Sequence, residues 1–305
     1  MERRDMVACS HSARGGSLGT IMASLANRHL IQPMQAEQSG FLPIDPDDAH
    51  LVQITDTHLS AVPGTRLRGI DPARTLEAVL ELARPWLDTA DHILLTGDLT
   101  HDGRIEGADH LRSLLDPFGK PFSFLPGNHD NPTTLERALG DRPGCWPWQV
   151  QIKEWDLISL NSRISGREGG ELGGAQRERL AELLGTDTSR PTLIALHHHP
   201  TPVGSPWMDA MGLADGDALL ELLQQHPRVR GVLFGHVHQQ FDTRIGHLRL
   251  LGAPSTCMQF KPNSHSSRSD RRLPGFRWLL LGADGAIDTG VERLRTWPDN
   301  IAPTP

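Results

Sequence analysis

Cysteine is almost missing from this chain, and the little there is lies far apart. Cys9, Cys145 and Cys257 are the three in 305 residues. That spacing allows neither a disulfide framework nor a thiolate zinc cluster, and it suits a reducing cytosol. Long apolar runs are missing too, since none approaches the ~20 residues a helix needs to span a bilayer. Basic charge is in deficit. A net charge of −7 and a pI near 6.1 argue against stable nucleic-acid binding, which needs a basic face to displace counterions, and leave room only for a local basic patch. No internal repeat and no biased stretch marks a linker. The expectation is a cytoplasmic protein of one main domain that works on a small molecule, with no membrane partner; monomer and homodimer are equally open.

What is present is an ordinary globular composition, 37% hydrophobic and 22% charged, long enough to bury a sizeable core. Residues 1–48 are the exception. They carry Arg3, Arg4, Arg14 and Arg28 among many Ser and Gly, with no sustained period. Arg3-Arg4 invites a twin-arginine reading and Cys9 a lipobox reading, but both need an apolar core of ~7–15 residues, and Gly19 to Ala26 is too short and mixed. This segment reads as a disordered extension, with Met34 an alternative start. The main domain then spans 49–295, followed by a tail over 296–305.

Within that domain, strand and helix patterns alternate. The organising stretch is His92 to Gly103, in which the apolar run Ile93 to Leu95 stops at Gly97 and delivers Asp98. A short, continuous apolar run bounded by turn residues reads as a buried strand. Asp98 therefore stands at a strand's carboxyl end, where loops of an open α/β sheet fan apart and leave a crevice. A lone aspartate there is ordinarily a turn former or helix cap. Its company argues otherwise, because other strand-like runs also end in potential metal ligands: Leu51 to Ile54 before Asp56 and His58, Phe122 to Leu125 before Asn128 and His129, Leu193 to Leu196 before His197, and Val232 to Phe234 before His236 and His238. Asp71-Pro72 and Asn131-Pro132 are cap-plus-proline helix starts. Ile105, Ala108, Leu111 and Leu115 mark a helix, as do Leu180 to Leu184 and the leucines after Asp217. Trp148 to Ile152 and Leu157 to Asn161 read as a strand pair. His247 to Leu251 and Phe276 to Leu281 read as later strands, the last followed by a hairpin through Asp284-Gly285. The order implies two sheets packed face to face with helices outside.

Asp56-Thr57-His58 and His236-Val237-His238 each place two ligand-capable side chains on one side of an extended segment. Asn128-His129-Asp130 follows Pro126-Gly127, where glycine permits a tight turn. The set mixes Asp, Asn and His without thiolate, which suits Mn, Fe or Zn. A shared carboxylate with ligands left over on both sides suggests two ions, a pairing that clamps a phosphate ester and generates hydroxide at neutral pH.

Asp56-x-His58, Gly97-Asp98, Gly127-Asn-His-Asp130, His197 and Gly235-His-x-His238, in this order, resemble the signature of calcineurin-like metallophosphoesterases. Leu51 to Leu59, Leu196-His-His-His-Pro200 and Pro254 to Pro262 further resemble the bacterial class III 3′,5′-cyclic AMP phosphodiesterases. The resemblance covers about Leu51 to Arg293. It implies a four-layer α/β/β/α sandwich of two packed mixed sheets and hydrolysis of cyclic AMP to 5′-AMP. It also implies two divalent ions per chain, Fe2+ or Mn2+ ahead of Zn2+. One ion would take Asp56, His58, Asp98 and His238, and the other Asp98, Asn128, His197 and His236, with Asp98 bridging. A hydroxide between the ions would attack phosphorus in line, and His129 would stabilise or protonate the departing oxygen. His58, Asn128, His129 and His238 would lie against substrate. The alternatives are another small diester or pyrophosphate as substrate, or a non-catalytic scaffold of the same fold. In the run His197-His198-His199, His197 is the expected ligand because it is the first residue past the strand. Asn161 departs from the aspartate this branch often carries there. Asp102 and Asp130 read as caps or supporting partners. Phe260 and Lys261 are candidate substrate contacts, one to stack a base and one to meet phosphate, against the plainer reading of a core aromatic and a solvated lysine. Cys257 reads as packing.

Overall fold

The structure, a computed structural model, describes residues 45–140, 147–186 and 188–298. The extension over 1–44, Cys9, Cys145 and the end of the tail lie outside the described residues. The chain begins with β1 (Ala49–Ile54), α1 (Pro72–Thr89), β2 (His92–Leu95), α2 (Ile105–Leu115), β3 (Phe122–Phe124) and α3 (Pro132–Leu139). It continues through β4 (Trp148–Ile152), β5 (Trp155–Ser159), α4 (Gly174–Leu184), β6 (Thr192–Leu196), α5 (Pro206–Asp209), α6 (Gly216–Gln224) and β7 (Val229–Phe234). Strands follow: β8 (Phe241–Ile245), β9 (Leu248–Gly252), the short β10 (Gln259–Phe260) and β11 (Ser269–Asp270), then β12 (Gly275–Leu281) and β13 (Ile287–Arg293).

One sheet has the order β13-β12-β1-β2-β3 and the other β4-β5-β6-β7-β9-β8. Both are mixed: β1, β2 and β3 run parallel, as do β5, β6, β7 and β9, while β12, β13, β4 and β8 supply the antiparallel edges. Alternation along the strands decides which layer each side chain joins. Leu51, Leu94, Leu193, Leu233, Leu251 and Leu279 meet between the sheets. Val52, Ile93 and Leu95 instead pack with Leu76, Val79, Leu111 and Leu115 of the helices outside the first sheet. Ile194, Val232 and Leu250 pack with Leu180, Leu219 and Leu223 outside the second. The expected four layers are therefore present.

The helix starts follow the local chemistry. Asp71 accepts from the backbone N–H of Ala73 and Arg74 at 3.1 and 3.3 Å, and Asn131 accepts from that of Thr133 at 3.1 Å, which satisfies donors a helix leaves open at its N-terminus. The expected strand over Leu157 to Asn161 begins earlier and stops at Ser159. Trp155 and Asp156 belong to it because they pair with Ile152 and Gln151 across a tight hairpin. Asn161 lies beyond the strand, where its Oδ1 accepts from the Arg163 N–H at 3.0 Å and its own N–H reaches Gln176 at 2.9 Å; it holds its own loop. β8 had no clear sequence pattern. It is an edge strand with Asp242 and Arg244 exposed, so no apolar face announces it.

Candidate dinuclear metal centre

The carboxyl ends of the parallel strands in both sheets converge, and the expected ligands stand on the loops that leave them. Asp56 and His58 follow β1, Asp98 follows β2, Asn128 and His129 follow β3, His197 follows β6, and His236 and His238 follow β7. Several sit in left-handed backbone: φ is 52° at Asp56, 47° at His58, 48° at Asp98, 66° at His236 and 49° at His238. Such conformations cost energy for residues with a Cβ and collect where a surrounding structure aims side chains at one point. Gly127 opens the expected tight turn, its carbonyl accepting from the Asp130 N–H at 3.3 Å, and it also gives clearance. A Cβ there would collide with the backbone N and Oδ1 of Asp98, so glycine lets the β3 loop lie against the central carboxylate.

The imidazoles are oriented by their second nitrogens. His197 donates Nδ1–H to the Thr96 carbonyl at 2.8 Å, and His238 donates to that of Met258 at 2.8 Å. Each thereby turns Nε2 inward, the arrangement that fixes tautomer and aim in metal-ligating histidines. His197 Nε2 then lies 3.4 Å from Asp98 Oδ2 and 3.2 Å from Asn128 Oδ1. His238 Nε2 lies 3.1 Å from Asp56 Oδ1 and 3.3 Å from His58 Nε2, and His58 Nε2 is 3.8 Å from Asp98 Oδ2. The Asp56 carboxylate is held by the Thr55 hydroxyl at 2.7 Å and the His236 N–H. His236 Nε2 and His58 Nδ1 are buried without a hydrogen-bond partner.

Lone pairs of oxygen and imidazole nitrogen thus face one another at close range inside a buried site, an arrangement that costs heavily unless cations occupy the space between. The donor set, oxygen and nitrogen with no sulfur, fits divalent Fe, Mn or Zn. The residues present therefore fit divalent metal, which Asp56, His58, Asp98, Asn128, His197, His236 and His238 would hold between them. Side chains of Asp56, His58 and His238, and of Asp56, Asp98 and His197, are each close enough together to hold one ion.

Electrostatics agree. Burial pulls the His58 and His236 imidazoles well below their usual range, which keeps them neutral and able to ligate. Burial also opposes charge on His197, yet the Asp98 and Asp56 carboxylates and the Thr96 carbonyl outweigh it and raise this imidazole to about 9. Burial would raise Asp98, but His197, His58 and His129 hold it well below the ordinary carboxylate range. Asp130 ligates nothing. It accepts from the N–H of Leu99, Thr100 and Gly127, and so ties the β2 and β3 loops together; burial, and then the charge of Asp98, push it up to about 6. Asp102 likewise braces a loop, accepting from the Ala61 and Arg104 N–H groups.

His198 approaches His197 and His236 closely enough to complete a third trio of ligand atoms. Both of its nitrogens are nonetheless engaged, Nδ1 with the Ser162 hydroxyl at 2.8 Å and Nε2 with the Glu168 carbonyl at 3.0 Å. Burial drops it to about 3. It is a structural histidine. His199 lies behind His236, ring on ring at 5.8 Å, with Nε2 3.7 Å from Asp209.

Above the cluster is a cavity of ≈ 340 Å³ whose lining includes His58, Asn128, His129 and His238. Phe260 lines it too, stacked on His238 at 4.5 Å and edge-on to Trp207 at 5.0 Å. Lys261 does not line it. The next residue past the short strand is exposed, and the cation beside Phe260 is Arg68, 5.6 Å from the ring centroid. Arg68 lies in the long loop after β1, anchored to Ser267, and no local pattern announces it. No local pattern announces His101 either, although it stands three residues past Asp98. Its ring stacks on His129 at 4.9 Å and its carbonyl accepts from His129 Nδ1 at 2.9 Å. Cys257 is buried with its thiol raised to about 12 by that burial, and it packs with Ile70 and Met258.

The sequence pattern of the calcineurin-like phosphoesterases matches residues 49–240. Among curated relatives, the 3′,5′-cyclic adenosine monophosphate phosphodiesterase CpdA of Pseudomonas aeruginosa is 40% identical over 244 residues, 80% of this chain and 89% of that protein. The CpdA of Escherichia coli K12 is 39% identical over 256 residues, covering 83% and 93%. A 3′,5′-cyclic-nucleotide phosphodiesterase of Nostoc is 38% identical, covering 80% and 92%. Among solved structures, a dimetal phosphatase from Danio rerio aligns over 82% of this chain and 99% of its own with a TM-score of 0.58 at 15% identity, a likeness of fold.

Proposed function

The chain belongs to the calcineurin-like phosphoesterase family, and from that premise we propose that it hydrolyses 3′,5′-cyclic AMP to 5′-AMP at a centre of two divalent ions held by Asp56, His58, Asp98, Asn128, His197, His236 and His238. The observation that carries this reading is the convergence of carboxylate, amide and imidazole donors around Asp98, beneath a cavity that also holds His129. Two ions, when bound, supply Lewis-acid charge to the phosphate and lower the pKa of water. The protein's own part is positioning. Asp98 would be shared by both ions, and its Oδ1 accepts from the His129 N–H at 2.9 Å. Water adds to phosphorus as the bond to the 3′ oxygen breaks, and that oxygen needs a proton. His129, with Nδ1 committed to the His101 carbonyl, has Nε2 left to hold or deliver it.

The degree of identity to curated cyclic-nucleotide phosphodiesterases favours a cyclic nucleotide over a linear diester or pyrophosphate, and the intact ligand set speaks against a scaffold without catalysis. A cytoplasmic location accords with this reading, and no helix among the described residues is long and apolar enough to cross a membrane. Metal-reconstituted enzyme assayed against cyclic nucleotides, linear diesters and pyrophosphates tests the proposal. Cyclic AMP is expected to give the highest kcat/KM; a clear preference for a linear diester overturns it.

A further inference from the structure

At the opposite end of β7 from the metal centre is a second cavity, also ≈ 340 Å³, lined by Arg230, Arg244, His247 and Arg249 with the backbone of Gly285 to Ile287. β7 runs from Arg230 toward Gly235-His236, so at about 3.3 Å per residue the two sites stand roughly 20 Å apart. We propose that this cavity is a binding site for a small phosphate-bearing anion, distinct from the catalytic centre.

Charge carries the inference. Arg244 and Arg249 are direct register partners on β8 and β9, so their side chains leave the sheet on the same face, where like charges opposite one another destabilise the pair. Asp242 neutralises only Arg249, gripping its Nε at 3.0 Å and Nη2 at 2.6 Å. Arg230 is held by neutral groups, the carbonyls of Gly285 and Asp284 at 3.2 and 3.3 Å. The Asp284 carboxylate turns away to cap the Ala286 N–H at 2.8 Å. Arg244 has no partner among the described residues, and His247 Nε2 is buried without one. Three guanidiniums thus meet a single paired carboxylate in a chain whose net charge is −7.

Shape agrees with charge. Gly285 has φ 86°, and a Cβ there would come within 2.6 Å of Arg230 Nε, so the turn is kept bare where the arginine crosses it. Guanidiniums present paired N–H donors that match phosphate oxygens, and a concave site of this size suits a small molecule rather than an extended polyanion.

The test uses the metal-loaded full chain with inorganic pyrophosphate and 5′-AMP as separate probes in excess Mg2+, followed by titration calorimetry and by soaking crystals. Arg244 is exposed on an edge strand, so its variants are expected to fold, with metal content and turnover as checks. The expected result is anion density between Arg230, Arg244 and Arg249, a binding event weakened at least tenfold in Arg244→Glu, and a smaller loss in Arg244→Lys, which keeps the charge but not the paired donors. Binding of pyrophosphate alone would mark a free phosphate site, and binding of 5′-AMP a nucleotide site. Unchanged affinity in Arg244→Glu, or density only at the metal centre, overturns the proposal.

Discussion

His129 and His197 are both imidazoles in one site, and what each second nitrogen touches separates their roles. His129 is exposed, not on the inner side of Asp98, and pinned through Nδ1 to the His101 carbonyl. Removing a general acid typically costs about 10²–10⁴ in rate, scaled by how badly the leaving oxygen needs a proton. His129→Ala is therefore expected to keep both ions by elemental analysis, lose that much kcat on cyclic AMP, and lose far less on bis(p-nitrophenyl) phosphate, whose leaving group needs no proton. Equal losses would leave His129 a positioning residue. His197 is the opposite case, fully buried and raised to about 9 by Asp98 in the metal-free protein. It must lose a proton to ligate. Metal uptake by the chelated chain at pH 7.5 is expected to release about one proton, and metal affinity to climb about tenfold per pH unit up to about 9. The imidazolium–Asp98 pair itself steadies the chelated chain fully below about 6.5, and that contribution is lost as pH rises through about 9. Calorimetry in buffers of different ionisation enthalpy counts the proton.

At the level of elements, Arg277 on β12 does what no apolar residue could. It is 1% exposed, and it donates across the inter-sheet space to the carbonyls of Phe241 and Gly252 at 3.2 and 2.9 Å and to the Thr289 hydroxyl at 3.0 Å. Burial lowers its guanidinium to about 10. Phe241 and Gly252 are the last register pair of β8 and β9, and the arginine ties that end of the second sheet to the first. Arg277→Ala removes these hydrogen bonds from a buried cation and leaves a cavity between the sheets, losses that typically cost a few kcal/mol together. The expected outcome is a destabilisation of about 2–4 kcal/mol in urea melts, with metal content unchanged in the folded fraction. A cost below about 1 kcal/mol would mean water replaces the arginine.

For the whole molecule, the proposed metal centre would clasp the two sheets together, because Asp56, His58, Asp98 and Asn128 leave one sheet and His197, His236 and His238 the other. Ions that bind only the folded chain stabilise it by about 2.7 kcal/mol each at a hundredfold excess over Kd. Chelation of two ions is expected to lower Tm by roughly 10–20 °C for a domain of this size, and to do so much less in Asp98→Ala, where the shared carboxylate is gone. Differential scanning fluorimetry with and without EDTA reads both. We also propose that 49–295 is a self-sufficient catalytic domain. Every residue placed in the catalytic site lies between Asp56 and Phe260, and the core runs from Ala49 to Leu281. A chain cut to 45–298 is expected to keep kcat and metal content; loss of either would assign a role to the removed segments.

The sequence by itself determined where the strands end and which ligand types stand there. Apolar runs terminated by glycine, and ligands repeated at alternate residues, are local signals that survive without tertiary context. It also determined the cap-and-proline starts of α1 and α3, because a cap is made within one turn. That His197, rather than His198 or His199, turns its Nε2 toward Asp98 and Asn128 is a matter of tertiary contacts. Neighbouring residues leave a strand on opposite faces, and which face holds the site depends on Thr96, Ser162 and Glu168, far away in sequence. The same holds for Arg68 in place of Lys261, for Trp207 and His101 beside the cavity, and for the basic pocket built from β7, β8, β9 and the β12–β13 turn. Each is a meeting of segments that share no local pattern, brought together by sheet order and packing.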